Sequence, residues 1–142
     1  MAIEQRVAAL MESFSGVQQW EERYRMIIKM GRQMPEFPGE LRLEENTIKG
    51  CQSQVWLHTE FTDGVISFHA DSDAAISKGI VAMLLSVYSG STPEEILRVG
   101  TGFLDQLGVR DHLSMSRSNG LSAMLKQISI YAVAYQAMAK NS

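Results

Sequence analysis

The sequence predicts an α+β protein in which an N-terminal helix pair, a small antiparallel sheet and C-terminal helices follow one another. Apolar residues recur at helical spacing near both ends of the chain, whereas strict alternation around one Asp–Gly pair predicts a β-hairpin in the middle. Strands do not alternate with helices, as a parallel α/β fold would require. At 142 residues we expect one domain over 1–142, because a chain of this length buries about two thirds of its unfolded surface.

The first two elements are predicted to be an antiparallel pair of amphipathic helices, because their apolar residues recur every three or four positions. The first stripe consists of Ile3, Val7, Leu10, Met11 and Phe14, and the second of Trp20, Tyr24, Ile27, Ile28 and Gly31. The second helix has to end before Pro35, which cannot continue it. Residues 37–45 show no period and are interpreted as a connector, after which Thr47 and Ile48 begin a short strand.

The central hairpin is predicted together with its register. Asp63 and Gly64 suit a two-residue turn in which both positions take positive φ, the geometry that matches the twist of the flanking strands. Counting outward pairs Phe61 with Ile66, Thr59 with Phe68 and Leu57 with Ala70 on one apolar face. The other face is mostly polar and consists of Trp56, His58, Glu60, Ser67, His69 and Asp71. The same parity, carried back along the chain, places Cys51 toward the covered side of the sheet.

Two helices are predicted directly after the hairpin. Ser72 or Asp73 caps the first, and Gly90 closes it. Residues 92–95 combine a capping threonine, a proline in the first turn and a glutamate at the third position, which indicates the start of a short helix to about Val99.

The last helix is predicted to begin at Ser118 or Asn119, after a turn over residues 103–107 that ends at Gly108. Its apolar face consists of Leu121, Met124, Leu125, Ile128, Ala132 and Tyr135.

Charge and hydropathy argue against several functions. The formal net charge is −3, and the 13 basic residues are scattered, so we expect no nucleic-acid partner. No segment approaches the about 20 apolar residues that span a bilayer, and the N-terminal segment carries Glu4 and Glu12, unlike a secretory signal. We therefore expect a cytoplasmic protein without a membrane partner, in a compartment that keeps cysteine reduced.

Cys51 is the only cysteine, and it lies in the segment IKGCQSQVW. One sulfur cannot form an intramolecular disulfide or supply the ligands of a structural zinc or an iron–sulfur cluster, so we expect no metal and no cofactor. Free cysteines are usually buried and inert, but Lys49, Gly50, Gln52 and Ser53 are polar or small. A reachable thiol on a loop is the better interpretation. Lys49 and the backbone N–H groups of the turn are expected to lower its pKa.

The histidines give weaker candidates. His58 and His69 face each other across the predicted hairpin with Glu60 on the same face, but solvated polar residues are a better interpretation than a metal site. A hydrolase based on a Cys–His pair would require His58 or His112 to approach the thiol in three dimensions, which the sequence leaves open.

Arg117 stands between two serines and has two interpretations of equal weight. It is either a solvated arginine in the turn that caps the last helix, or a fixed cation that pairs with Asp71 or Asp73 or contacts a partner near the thiol.

Four blocks of the sequence, in order, resemble the SufE family of sulfur acceptors. They are WEERYRMIIKMGRQMP, IKGCQSQVW, DSDAAISKG and HLSMSRSNGLSAM. The QSQ after the cysteine is similar to SufE itself rather than to the related CsdE branch. The resemblance implies a fold similar to that of the IscU scaffold proteins, although this chain lacks their set of cluster ligands.

The resemblance also implies a function. SufE proteins act with a pyridoxal-phosphate-dependent, SufS-like cysteine desulfurase, which holds the sulfur of L-cysteine as a persulfide. Cys51, by position, is implied to take that sulfur, to become a persulfide and to pass the sulfur to a scaffold for iron–sulfur cluster assembly, while desulfurase turnover rises. Candidates for docking the partner or positioning the loop are Lys49, Gly50, Gln52, Ser53, Asp71, Asp73 and Arg117.

Two other functions stay open at this point. The chain is an alternative candidate for a non-catalytic adaptor that activates a desulfurase by binding, with Cys51 incidental. A redox thiol enzyme is disfavoured, because the chain has no resolving cysteine. The sequence does not decide whether the protein forms a homodimer.

Overall fold

Two antiparallel strands separate a helical N-terminal part from a helical C-terminal part, as predicted. The computed structural model describes residues 2–140. Its helices and strands are α1 (Ile3–Ser15), α2 (Trp20–Arg32), β1 (Val55–Thr62), β2 (Val65–Ser72), α3 (Ala75–Tyr88), α4 (Pro93–Val99), α5 (Gly102–Leu107) and α6 (Met115–Lys140). Short 3₁₀ turns cover Gly39–Leu41, Glu44–Asn46 and Arg110–His112. Within residues 2–140, no helix combines the length and the apolarity needed to cross a membrane.

The hairpin register is confirmed pair by pair. Asp63 and Gly64 take φ values of 56° and 82°. Positive φ at both positions is the geometry expected of this two-residue hairpin turn. The apolar face of the hairpin packs against α3 and α6. At its far end the Phe61 ring stacks on Tyr135 of α6 at 4.8 Å, and Thr59 shares a hydrogen bond of 2.7 Å with the Tyr135 hydroxyl.

The short strand predicted at Thr47 and Ile48 is wrong. Thr47 forms only an isolated bridge to Trp56, because the chain leaves one 3₁₀ turn at Asn46 and enters the next turn at Lys49. Too few extended residues lie between the two turns to continue a ladder.

Helix α3 is apolar on nearly all sides and lies at the centre of the protein. It crosses α2 at two glycines, Gly31 and Gly79, whose backbones approach more closely than any side chain would allow. At the C-terminus of α3, Arg6 of α1 donates hydrogen bonds to the carbonyl oxygens of Val87 and Ser89. These carbonyl groups have no partner within the helix, so Arg6 satisfies them and fixes α1 against α3.

The predicted cap of α3 is wrong. The residue that precedes the helix is Ala74, which has no side-chain oxygen to offer. The hydroxyl of Ser72 does accept a hydrogen bond from the Ala74 N–H at 3.3 Å, but Asp73 is turned away. Its carboxylate binds the backbone N–H of Gln54 instead, so the acid serves a loop rather than the helix.

The start of α4 is confirmed, because Thr92 and Glu95 each accept the backbone N–H of the other. The predicted start of α6 is wrong by about one turn. The helix begins at Met115, and the hydroxyl of Ser114 accepts the backbone N–H of Arg117 at 3.2 Å. Ser114 is as good a cap as the later serine, and the earlier start lengthens the helix.

Candidate functional site

Cys51 lies on a loop between the turn at Gly50 and the start of β1, and α6 covers one side of this loop. Gly50 takes φ 92°, a conformation that favours glycine, and a Cβ there would meet the Cβ of Ala123 at 3.3 Å. The Cys51 Sγ lies 3.7 Å from the carbonyl oxygen of Gly120 and packs against the edge of the core. The thiol is therefore half-buried, as strand parity indicated, and it rests on a helix from the other end of the chain.

The end of the loop is tied to β2. The Asp73 carboxylate accepts the Gln54 N–H at 3.0 Å, and the Asp73 N–H donates back to the Gln54 carbonyl at 3.2 Å. The Ser72 hydroxyl donates to the same carbonyl at 2.7 Å. Three hydrogen bonds thus hold the residue at which the thiol loop becomes a strand. Of the two acidic candidates, Asp71 and Asp73, it is Asp73 that contacts the thiol loop.

Burial raises the pKa of the Cys51 thiol above its ordinary value. The Gly120 carbonyl oxygen, which lies 3.7 Å from Sγ, accepts a hydrogen bond from an S–H and repels a thiolate. The ammonium of Lys49 pairs with the Glu44 carboxylate. The expectation that Lys49 and the turn lower this pKa is therefore wrong for this conformation, in which the sulfur is held as a neutral, poorly nucleophilic thiol.

Asp71 belongs to a separate network on the other face of the hairpin. Arg42 donates to its carboxylate at 2.5 Å, and the ammonium of Lys78 lies 3.3 Å from the other oxygen. Burial opposes ionisation of Asp71, but the hydrogen bonds from Arg42 and the Ser72 backbone, together with Lys78, outweigh it and lower the pKa. The Arg42 guanidinium also lies over the ring of Trp56. Asp71 thus joins the connector to the sheet and does not contact the thiol loop.

Arg117 lies in the first turn of α6, one turn before the glycine that contacts the thiol. Its Nε is buried and has no hydrogen-bond partner within residues 2–140. The predicted pairing with Asp71 or Asp73 is wrong, because those carboxylates are bound by Arg42, Lys78 and Gln54. A pocket of about 290 Å³ opens beside the guanidinium, lined by Tyr24, Ile28, Ile76, His112, Leu113, Ser114 and Arg117.

Gln52 and Ser53 are the remaining candidates on the thiol loop. Gln52 is exposed and Ser53 is half-buried, and neither side chain has a hydrogen bond within the described part of the chain. These two residues are free to contact another molecule without loss of an internal bond.

The histidines do not join the thiol. His58 and His69 lie opposite each other, and each has its Nε2 3.8 Å from the Glu60 carboxylate, but residues 2–140 contain no group of three ligands suited to a metal ion. The His112 ring stacks on Trp20 at 4.0 Å. No histidine among the described residues hydrogen-bonds Cys51, so the geometry does not favour a Cys–His hydrolase.

Sequence reasoning missed the residues that hold the thiol in place. Gly120 and Ala123 contact the loop from far along the chain, since 69 positions separate Cys51 from Gly120. The only local signal was a pair of small residues at i and i+3, which places both on one face of α6. Gln54 gave no signal, because its backbone rather than its side chain makes the contacts.

A family model and two related proteins, all named for SufE, match this chain. The family model for SufE, described as an Fe-S metabolism associated domain, matches residues 8–132. An uncharacterized SufE-like protein of Rhizobium meliloti (strain 1021) is 39% identical over 124 residues, which cover 84% of this chain and 89% of the relative. A second such protein, from Rhizobium etli, is 41% identical over 125 residues and covers 84% of each chain.

A solved structure shares the fold. The solution structure of a hypothetical protein from Thermus thermophilus superimposes with a TM-score of 0.77 at 21% identity, covering 93% of this chain and 96% of that one. At this level of identity the likeness speaks for the fold alone, and it agrees with the α+β arrangement described above.

Proposed function

The chain belongs to the SufE family, which acts in sulfur transfer with a cysteine desulfurase. We propose that Cys51 is the residue that carries the sulfur. Cys51 takes sulfur from the desulfurase, holds it as a persulfide and delivers it for iron–sulfur cluster assembly. Removal of the sulfur frees the desulfurase and raises its turnover. The observation that carries this proposal is the position of the chain's only cysteine on a surface loop. Ser72 and Asp73 hold the end of this loop by hydrogen bonds to Gln54.

The transfer is a thiol–disulfide type of exchange without net oxidation. The Cys51 thiolate attacks the terminal sulfur of the enzyme-bound persulfide, a new S–S bond forms, and the enzyme's S–S bond breaks. The enzyme's cysteine leaves as a thiolate, and the proton that Cys51 gave up passes to it or to water. The rate depends on the thiolate fraction of Cys51 and on access to its sulfur.

The conformation of the free protein is a resting one. Attack needs a thiolate, whereas burial and the Gly120 carbonyl favour the thiol. Docking of the desulfurase therefore has to move the loop off α6, so that Sγ reaches the donor sulfur and loses its proton. The loop can turn at Gly50, because this residue is exposed and has no side chain of its own to rearrange.

The other candidates divide into two roles. Lys49 and Gln52 are exposed and Ser53 is half-buried, and all three lie within two residues of Cys51, so these residues contact the desulfurase. Gly50 and Asp73 position the loop, one by its backbone conformation and the other by its hydrogen bonds.

Arg117 and Asp71 act further from the sulfur. The unpartnered Nε of Arg117 beside an open pocket suits a carboxylate of the docked partner. Asp71 contributes indirectly, by holding the connector to the sheet through Arg42.

Desulfurase turnover with Cys51→Ser tests the proposal. A purified desulfurase of the SufS type is given L-cysteine, and alanine formation is measured with and without this protein. We expect Cys51→Ser to lose the stimulation, whereas Thr101→Ala, which changes an exposed side chain outside the thiol loop, keeps it. Full stimulation by Cys51→Ser would contradict the carrier function and support the adaptor.

A further inference from the structure

The contact between Cys51 and α6 is made at a residue without a side chain. Gly120 is buried, lies within the second turn of α6 and has ordinary helical backbone conformation. A Cβ added there would lie 3.5 Å from the Cys51 Sγ and 3.8 Å from both its Cα and its Cβ. These are ordinary van der Waals contacts, so nothing in the packing of the unloaded thiol requires a glycine at this position.

The requirement changes when the cysteine carries a second sulfur. That sulfur lies about 2.05 Å from Sγ and takes one of three staggered positions about the Cβ–Sγ bond. A Cβ at position 120 would be nearly equidistant from three atoms of the cysteine, so it would stand above the plane of Cα, Cβ and Sγ. A sulfur in the staggered position on that side would overlap it. Alanine at position 120 would therefore exclude the second sulfur from the one staggered position that lies against α6.

We propose that Gly120 is a positioning residue, which gives the terminal sulfur of a Cys51 persulfide a covered position against α6. The inference rests on the proposed function, because it concerns the loaded form of the same cysteine. In this position the sulfur faces a buried helix backbone, and the other two staggered positions turn it away from α6. The consequence is that Gly120 affects the persulfide and leaves the thiol unaffected.

Gly120→Ala separates the two forms. Alanine is the better helix former, so we expect the variant to fold and its far-ultraviolet spectrum to match the parent. The unloaded Cys51 should react with iodoacetamide at a rate within about twofold of the parent, since the added methyl fits beside the thiol. Gly102→Ala is the matched control, because an added Cβ there would meet no atom within 4 Å beyond its chain neighbours.

The persulfide is then formed with inorganic polysulfide, so that the measurement does not depend on a desulfurase. Its survival in a small thiol is followed by mass spectrometry of the Cys51 peptide. We expect the half-life to fall by about 1.5-fold or more in Gly120→Ala, because loss of the covered one of three staggered positions raises the exposed fraction of the persulfide from about two thirds to one. The persulfide half-life should also fall in Gly120→Ser, and in Gly102→Ala it should equal that of the parent.

Equal half-lives in the parent and in Gly120→Ala would overturn the inference. So would a change in iodoacetamide reactivity as large as the change in persulfide half-life, because that result would indicate a general loosening of the loop. Either outcome leaves the proposed function untouched, since that function fails only if a desulfurase does not deliver sulfur to Cys51.

Discussion

Gly79 of α3 lies so close to Ile27 of α2 that a Cβ at position 79 would stand 2.3 Å from the Ile27 carbonyl oxygen. The opposing Gly31 is also crowded, since an added Cβ would lie 2.8 Å from the backbone nitrogen of Gly79. The neighbouring atoms belong to helix backbones and cannot turn away as a flexible side chain would. Helix α2 can thus pack on the central helix α3 only because both positions are glycine.

Gly79→Ala should therefore destabilise the protein strongly, although alanine is the better helix former. The helices have to separate to admit the methyl group, and we expect the free energy of unfolding to fall by about 3 kcal/mol. Urea denaturation followed by circular dichroism measures this change. Gly102→Ala adds the same group in open space, and a loss no larger than in that control would show that the helix crossing is not tight.

Asp73 is expected to control access to the thiol. Asp73→Ala removes the bond from the Gln54 N–H, which contributes about 1 kcal/mol and corresponds to about a fivefold change in an opening equilibrium. The rate of Cys51 alkylation by iodoacetamide should rise by that factor. Asp105→Ala changes an exposed acid elsewhere and should leave the rate as it is. An unchanged rate in Asp73→Ala would mean that this bond does not hold the loop.

The ionisation of Cys51 should shift to higher pH in the folded protein, because burial raises its pKa. The folded state then keeps a proton at pH values where the unfolded chain, with an ordinary thiol pKa of about 8.5, has lost it. This contribution to stability is fully present below the unfolded pKa and is lost as the pH rises through the folded pKa. Alkylation rates measured against pH in buffer and in urea test the shift. A midpoint in buffer at or below that in urea would contradict it.

Asp71 should affect stability in acid, with the opposite sign. Its pKa is lowered, so its contribution is present above the unfolded pKa and is lost as the pH falls through the lower folded value. Asp71→Asn should cost about 1 kcal/mol at neutral pH, because Arg42 and Lys78 lose their counter-charge in a partly exposed setting. It should also flatten the loss of stability below pH about 4. A variant as acid-sensitive as the parent would exclude Asp71 as the titrating group.

Local signals predicted the elements of this fold well. The Asp63–Gly64 turn fixed the hairpin register because strand pairing is counted from the turn, and the short helix at Thr92 was found because its capping box is contained in four residues. The start of α6 was missed because Ser114 and Ser118 are equally good caps, and only packing decides between them.

The site was predicted less completely than the fold. Cys51 and its exposed neighbours could be found in one stretch of sequence, but Gly120 approaches from a separate helix. The direction of the Cys51 pKa was wrong for the same reason. Sequence shows the adjacent lysine, but that lysine pairs with Glu44, and the burial that raises the pKa comes from tertiary contacts.

The central claim, that Cys51 carries sulfur received from a desulfurase, is tested most directly by mass spectrometry. The protein is incubated with a SufS-type desulfurase and L-cysteine, alkylated, digested and measured, with Cys51→Ser as the control. The account predicts that the Cys51 peptide gains the mass of one sulfur atom, and that this gain disappears when either the enzyme or L-cysteine is omitted. A desulfurase that turns over L-cysteine and responds to this protein, while the Cys51 peptide never gains sulfur, would contradict it.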